Sequence, residues 1–168
     1  METLKTILSR HSVRTYTGEP LPEACLEKIL LAANAAPVGM GRYDQMHLTV
    51  VSNKAFLAET DKAAAAFMHR EGAHPTYGAP TLIFISGQDA ASAAMIAHSM
   101  ALEATNLNIG VCYLWGVTAT VSNTPELLAK LNLPEGHELL AAIGVGPTNE
   151  TYTERDIPKD RIATTYVK

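Results

Sequence analysis

The chain has 168 residues, 47% of them apolar, which suits one domain with a hydrophobic core or one subunit of a dimer. Its net charge of −4 argues against nucleic acid as the main partner, because phosphate backbones require a basic face. No signal peptide or membrane span is predicted, and two cysteines cannot make a disulfide framework. We therefore expect a single cytoplasmic domain over residues 1–168.

Helical spacing of apolar residues predicts helices over 3–10 and from Pro22 to the loop that begins at Pro37. Short apolar runs predict strands at 46–51, 81–86, 111–116 and 139–145. Further helices are predicted at 54–69, 90–109 and 125–131, and an irregular tail after Gly146. Alternation of helices with strands favours a parallel α/β sheet. Helix 90–109 is apolar or small nearly all round, so we expect it to be buried, in part by a partner subunit.

Basic residues cluster near both ends of the chain. Arg10, Ser12 and Arg14 offer guanidinium groups and a hydroxyl, which match the acceptor oxygens of a phosphate. Alternatively, these cations interact favourably with the negative end of the dipole of the first helix. Spacing alone favours this second interpretation. Lys159 and Arg161 stand two residues apart, so in an extended segment both would reach one anion. An ordinary solvated tail is the alternative there.

Two further segments could meet a flat ligand. Gly39 and Gly41 follow Pro37 and allow close backbone approach, although a helix-to-strand turn also needs glycine. Trp115 and Gly116 lie at the end of a predicted strand, where ligands often bind, or they form a core tryptophan beside a turn. The six histidines show no metal-binding spacing, and no serine-hydrolase elbow is present, so neither chemistry is predicted.

Taken in order, these segments resemble the signature of the nitroreductase family. The matching stretches are 10–16, 36–39, 78–83, 110–116 and 158–161, within a resemblance that runs from about Leu4 to Ile162. It implies an α+β fold with a mainly antiparallel central sheet flanked by helices, in place of the parallel sheet. It also implies an intertwined homodimer that holds FMN at the subunit interface.

The resemblance also implies which residues hold the cofactor. They are Arg10, His11, Ser12, Arg14, Pro37, Val38, Gly39, Trp115, Gly116, Lys159 and Arg161. Those near the two chain ends would contact the phosphate and ribityl chain, with His11 acting through its backbone. Residues 37–39 would run along the flavin ring, and residues 115–116 would present backbone near flavin N5. No catalytic side chain is assigned, because the flavin carries the chemistry, and no metal is expected.

The implied activity is hydride transfer from NADH or NADPH through flavin N5 to a nitroaromatic, quinone or similar acceptor. The family's Pro-Trp run is replaced by residues 41–47, so Arg42 or Gln45 would have to replace an amide contact to the flavin. Residues 67–78, with His69, His74 and Tyr77, are the candidate lid. An FMN-binding carrier, store or sensor without nicotinamide turnover is the alternative function. A flavin-free structural dimer is a third interpretation.

Overall fold

The computed structural model describes residues 2–168, which form a four-stranded antiparallel sheet with helices on both faces. The strands are β1 (Met46–Val51), β2 (Thr81–Gly87), β3 (Gly110–Tyr113) and β4 (Glu138–Gly146), in the spatial order β1-β2-β4-β3. Every neighbouring pair is antiparallel, which confirms the α+β prediction and makes the parallel α/β prediction wrong. The alternating pattern misleads because β4 lies between β2 and β3, so the two strands joined by a long helix never pair.

The helices are α1 (Thr3–Ser9), α2 (Glu23–Asn34), α3 (Lys54–Phe67), α4 (Ala90–Asn106), α5 (Trp115–Ser122) and α6 (Pro125–Lys130). Helix α5 was not predicted, and the strand predicted at 111–116 ends at Tyr113 instead. Valine and threonine in this stretch favour a strand locally. In the fold, Thr118 and Thr120 donate their hydroxyls to the carbonyls of Leu114 and Gly116, one helical turn earlier.

Strand β2 forms the centre of the core, with all seven of its residues buried, as its unbroken apolar run predicts. On one face, Ile83 and Ile85 pack among residues of α2 and α4. On the other face, Leu82 and Phe84 pack among residues of α3, α5 and α6. Because successive side chains of β2 point to opposite faces of the sheet, this strand packs against a layer of helices on each side.

Helix α4 begins at a strong cap, since the Asp89 carboxylate accepts the N–H groups of Ala91 and Ser92, both at 3.1 Å. After β4 the chain to Lys168 has no helix or strand, as predicted. Ile162, with 81% of its surface exposed, is one of the apolar residues that this tail leaves open. None of the helices in residues 2–168 is long and apolar enough to cross a membrane.

Candidate functional site

The segment that follows α1 is fastened along the sheet. Val13 is fully buried, and its N–H donates to the carbonyl of Val111 in β3 at 2.9 Å. The hydroxyl of Tyr16 donates to the carbonyl of Gly144 in β4 at 3.0 Å. Arg14 follows the buried valine and is exposed. This arrangement presents a cation beside the end of β3.

A carboxylate from the tail holds the same segment from outside. Glu150 Oε2 lies 3.2 Å from His11 Nε2, and Glu150 Oε1 accepts the Arg14 N–H at 3.1 Å. The His11 ring also packs against Tyr152, with ring centres 4.8 Å apart. The side chain of His11 is therefore engaged in structure, and only its backbone is left for contact with a ligand.

Two aromatic rings form a wall where β3 passes into α5. Tyr113 and Trp115 stack with their planes 9° apart and their centres separated by 6.2 Å. Trp115 is 56% exposed, so one face of this pair is open to a ligand. Behind the pair, the Tyr113 hydroxyl shares a 2.9 Å hydrogen bond with His98 Nδ1, and the guanidinium carbon of Arg10 lies 5.6 Å from the centre of the Tyr113 ring. We call residues 113–117 the aromatic wall.

The aromatic wall separates two concavities. The first, which we call the arginine cavity, has a volume of about 510 Å³ and is lined by Arg14 and Arg70 as well as the wall. That volume falls in the range of about 300–1,000 Å³ that is usual for small-molecule sites. The second, the Arg10 recess, holds about 390 Å³ and is lined by Arg10, His98 and the two aromatic rings. The predicted arginines thus stand on either side of one aromatic pair.

The charge of this region is set by its arginines. Contact with Tyr77, whose ring centre lies 5.8 Å from the guanidinium carbon, raises the pKa of Arg14. Burial, and then the charge of Arg10, lower the pKa of His98, so this imidazole is neutral at pH 7. The Arg10 recess therefore carries the positive charge of Arg10 alone.

A loop opposite the aromatic wall completes the arginine cavity, and we call residues 68–78 the facing loop. It includes most of the predicted lid; Arg70, His74 and Tyr77 line the cavity, whereas His69 does not. The loop approaches the wall closely, because a Cβ added at Gly116 would lie 2.5 Å from the sulfur of Met68. Because Gly116 has no side chain, the aromatic wall and the facing loop can approach each other this closely.

One carboxylate fastens the facing loop to α3. Asp61 Oδ2 lies 2.7 Å from His74 Nδ1, while Asp61 Oδ1 accepts the N–H and the hydroxyl of Thr76 at 2.9 and 2.6 Å. The side chain of Asp61 is 16% exposed, and Thr76 is buried. Three polar contacts to a single residue therefore hold this side of the cavity in place.

The fold does not bring every predicted site residue to these concavities. Pro37, Val38 and Gly39 line neither of them; the Gly39 N–H donates instead to the hydroxyl of Ser92 at 3.0 Å, at the start of α4. Pro37 and Gly39 are exposed there. Within one chain, this loop therefore contributes to the lining of neither concavity.

Lys159 and Arg161 also remain apart from both concavities, and each is exposed. Residues 159–162 form a turn and a bend and are not extended, and the Arg161 N–H donates to the carbonyl of Pro158 at 3.3 Å. Side-chain alternation along an extended segment therefore does not direct Lys159 and Arg161 to one anion.

Sequence reasoning missed Tyr113 and Arg70. A signal for Tyr113 was available, because it stands two residues before Trp115 at the end of an apolar run, a spacing that places two rings on one side of a strand. Arg70 gave no such signal, since its place in the cavity depends on how the facing loop folds back over α3. Among residues 2–168, no group of three or more His, Cys, Asp or Glu side chains could hold a metal ion.

Solved structures resemble this fold over its whole length. A nitroreductase with bound FMN from Bacteroides fragilis NCTC 9343 is 29% identical, with a TM-score of 0.84, and the match covers 99% of this chain and 100% of that one. A nitroreductase with bound FMN from Desulfitobacterium hafniense DCB-2 is 27% identical, with a TM-score of 0.86 and 100% coverage of both chains. An FMN-dependent nitroreductase from Clostridium difficile R20291, at 20% identity and a TM-score of 0.83, matches in fold and covers 99% of both chains.

A search of curated proteins finds no match to this sequence. The sequence model that defines the nitroreductase family, in contrast, matches residues 7–147, from the end of α1 to the end of β4. That span contains the fastened N-terminal segment, the facing loop and the aromatic wall. The chain therefore belongs to the nitroreductase family of oxidoreductases.

Proposed function

We propose that the protein binds FMN and transfers hydride from NADH or NADPH to a nitroaromatic, a quinone or a similar acceptor. The observation that carries this proposal is the aromatic wall with an arginine on each side, in a chain that belongs to the nitroreductase family. The two FMN-bound relatives with 27–29% identity support the choice of cofactor.

The residues present fit a cofactor with a flat ring and a phosphate. Nη1 of Arg10 is buried and has no hydrogen-bond partner within residues 2–168, an arrangement that costs about 1–3 kcal/mol for an unsatisfied polar group. A phosphate oxygen would satisfy it through a charge-assisted hydrogen bond. Trp115 offers an exposed ring face beside this charge, which suits a planar group.

Each predicted residue then has a task in binding. Arg10, Ser12 and Arg14 would hold the phosphate and ribityl chain, while the contacts of His11 with Glu150 keep their segment in position. Trp115 and Gly116 would present backbone toward the reactive edge of the ring. When bound, FMN supplies the ring that accepts and donates hydride.

A second subunit would complete this site. Pro37, Val38 and Gly39 line neither concavity of their own chain, and Lys159 and Arg161 line neither as well. Exposed apolar side chains are available for such an interface: Leu31, Met40, Met95, Ile162, Tyr166 and Val167. Large exposed apolar surface is typical of protein contacts. We propose that a homodimer buries them and brings residues 37–39 of one subunit to the wall of the other.

The visible absorption spectrum of the purified protein, before and after anaerobic addition of NADH or NADPH, tests the activity. Flavin bands that bleach rapidly with either nucleotide are the expected result. Flavin bands that persist would favour the carrier, store or sensor in place of the oxidoreductase. A colourless protein that takes up no added FMN would contradict both functions and leave the flavin-free structural dimer.

Arg14 is our candidate for the cation that stabilises the anionic reduced flavin, because it lines the arginine cavity together with the aromatic wall and a guanidinium is always charged at physiological pH. Replacement Arg14→Ala should weaken FMN binding about tenfold or more, as expected for loss of one charged hydrogen-bonding partner, and should lower the flavin reduction potential. Titration with FMN and a spectroelectrochemical potential measure the two effects. Lys62→Ala on α3, which lines neither concavity, is the control. Unchanged affinity and potential in Arg14→Ala would refute this role.

A further inference from the structure

The arginine cavity has an unbalanced charge. Within residues 2–168 its lining includes Arg14, Arg70 and His74 but no aspartate or glutamate. The whole chain has the opposite bias, with 17 acidic residues against 13 lysines and arginines. A concave site lined by one sign of charge concentrates ligands of the other sign. The cavity is therefore suited to an anion.

Arg70 is the arginine that the proposed cofactor contacts leave unassigned. Arg14 already lies over Tyr77 and is directed to the cofactor, whereas the guanidinium of Arg70 has no hydrogen bond or ion pair to any part of the chain that the structure describes. The backbone of Arg70 is nevertheless fixed, since its N–H donates to the carbonyl of Ala65 at 2.9 Å and its carbonyl accepts the N–H of Ala73 at 3.0 Å. A free cation thus stands on an anchored stretch of backbone.

The carboxylate of Asp61 forms no ion pair with this cation. Asp61 accepts from His74 and Thr76, so both of its oxygens are occupied on the α3 side of the facing loop. The lining also carries three aromatic rings, Tyr77 from the facing loop itself and Tyr113 and Trp115 from the wall opposite. The cavity therefore combines flat apolar surfaces with one unpaired guanidinium, a group that binds carboxylates in a two-pronged geometry.

We propose that the electron acceptor of this protein is an aromatic compound that bears a carboxylate, and that Arg70 binds this carboxylate. The inference rests on the proposed function, because it identifies the second ligand of the same site. The ring of the acceptor lies against the aromatic lining, and its negative group lies toward the facing loop. Arg70 determines specificity and takes no part in the transfer of hydride.

Equilibrium dialysis tests this with two probes that differ by one charge, 4-nitrobenzoate and 4-nitrobenzamide. The purified protein with its bound cofactor is used in the oxidised state without nicotinamide, so that affinity is measured in the absence of turnover. The wild-type protein should bind the carboxylate about tenfold or more tightly than the amide, as for one charge-assisted pair. In Arg70→Gln this preference should fall to roughly a third of its wild-type value or less, with the affinity for the amide unchanged.

Lys62→Gln is the matched control, since it removes the same charge from an exposed position on α3 that lines neither concavity. It should keep the wild-type preference. Equal binding of the two probes by the wild-type protein would overturn the proposal, as would an unchanged preference in Arg70→Gln. A rise in KM for NADPH but not for NADH in Arg70→Gln, with the probe preference intact, would assign Arg70 to the nucleotide phosphate and also overturn it.

The same measurements separate this inference from the proposed function. A protein without flavin that still prefers the carboxylate through Arg70 would support the anion site while contradicting the oxidoreductase activity. A flavin-containing protein that oxidises NADH or NADPH without any probe preference would support the activity and overturn the inference.

Discussion

The aromatic wall and the facing loop enclose the same cavity, but different forces hold them. Leu114 and Val117 of the wall are at most 3% exposed and belong to the core between the sheet and the helices α3, α5 and α6. The facing loop has neither helix nor strand and depends on the contacts of Asp61 with His74 and Thr76. The wall should therefore open only when the whole domain unfolds, whereas the loop can open alone.

The largest effect is expected beneath the wall. Leu127 of α6 is 1% exposed and packs in the cluster that supports α5. Leu127→Ala should lower the free energy of unfolding by about 2–5 kcal/mol, through lost burial and a residual cavity. Urea denaturation at one fixed protein concentration measures this. Glu135→Ala, at an exposed position, should stay within about 0.5 kcal/mol of wild type. If Leu127→Ala lowered the free energy of unfolding no more than the control does, the wall would not share the stability of the core.

A smaller and local effect is expected in the facing loop. Asp61→Ala leaves the buried hydroxyl and N–H of Thr76 without their acceptor, at a cost of about 1–3 kcal/mol. Amide hydrogen exchange should quicken roughly five- to a hundredfold in residues 74–78 and stay unchanged in 113–117. Asp156→Ala, which removes an exposed carboxylate, is the control. Equal acceleration in both stretches would show that wall and loop open as one unit.

The smallest effect concerns the fastening of the N-terminal segment to the sheet. Tyr16→Phe removes the hydrogen bond to the Gly144 carbonyl and should cost about 0.5–1.5 kcal/mol at pH 7. Burial raises the pKa of Tyr16, so folding favours the neutral phenol. That contribution is fully present below the pKa of the unfolded tyrosine, about 10, and is lost as pH rises above it. Tyr16→Phe should thus lose less stability than wild type above about pH 10.

Urea denaturation on both sides of that pH provides the check. Tyr166→Phe is the matched control, because it removes the same hydroxyl from a side chain that folding leaves 80% exposed. A stability curve for Tyr16→Phe that runs parallel to wild type at alkaline pH would contradict a buried neutral phenol as the source of the effect.

Most helices and strands were predictable from their apolar patterns, although α1 buries Thr6 and Ser9 and leaves Leu4 and Ile7 exposed. The unbroken apolar run of β2 predicted its burial correctly, whereas α4 is buried along one side and leaves Met95 51% exposed. Strand order was not predictable from this pattern, since the choice of β4 rather than β3 as the neighbour of β2 depends on contacts far apart in the chain. Helix α5 was missed because its β-branched residues have a local preference that the tertiary fold overrides.

The resemblance to the nitroreductase family, and not spacing alone, pointed to Arg10 and Arg14 as phosphate-binding residues. In the structure both flank the aromatic wall, and their role in binding stays a prediction. Arg70 was not identified, because the cavity that it lines forms only where the facing loop, held to Asp61 through His74 and Thr76, meets the aromatic wall. No periodicity encodes such a contact. The roles of residues 37–39 and of Lys159 and Arg161 stay predictions that depend on a second subunit.

Trp115 is the only tryptophan in the chain, and it stands in the lining of both concavities. Its intrinsic fluorescence therefore reports on one place in the molecule, without contributions from elsewhere. Because Arg10 and Arg14 flank the ring, the ratio of iodide to caesium quenching should be higher for this indole than for a free tryptophan derivative at the same ionic strength. That comparison reports the sign of the local electrostatic potential. A ligand that fills either concavity would register as shielding of the indole, with no label attached.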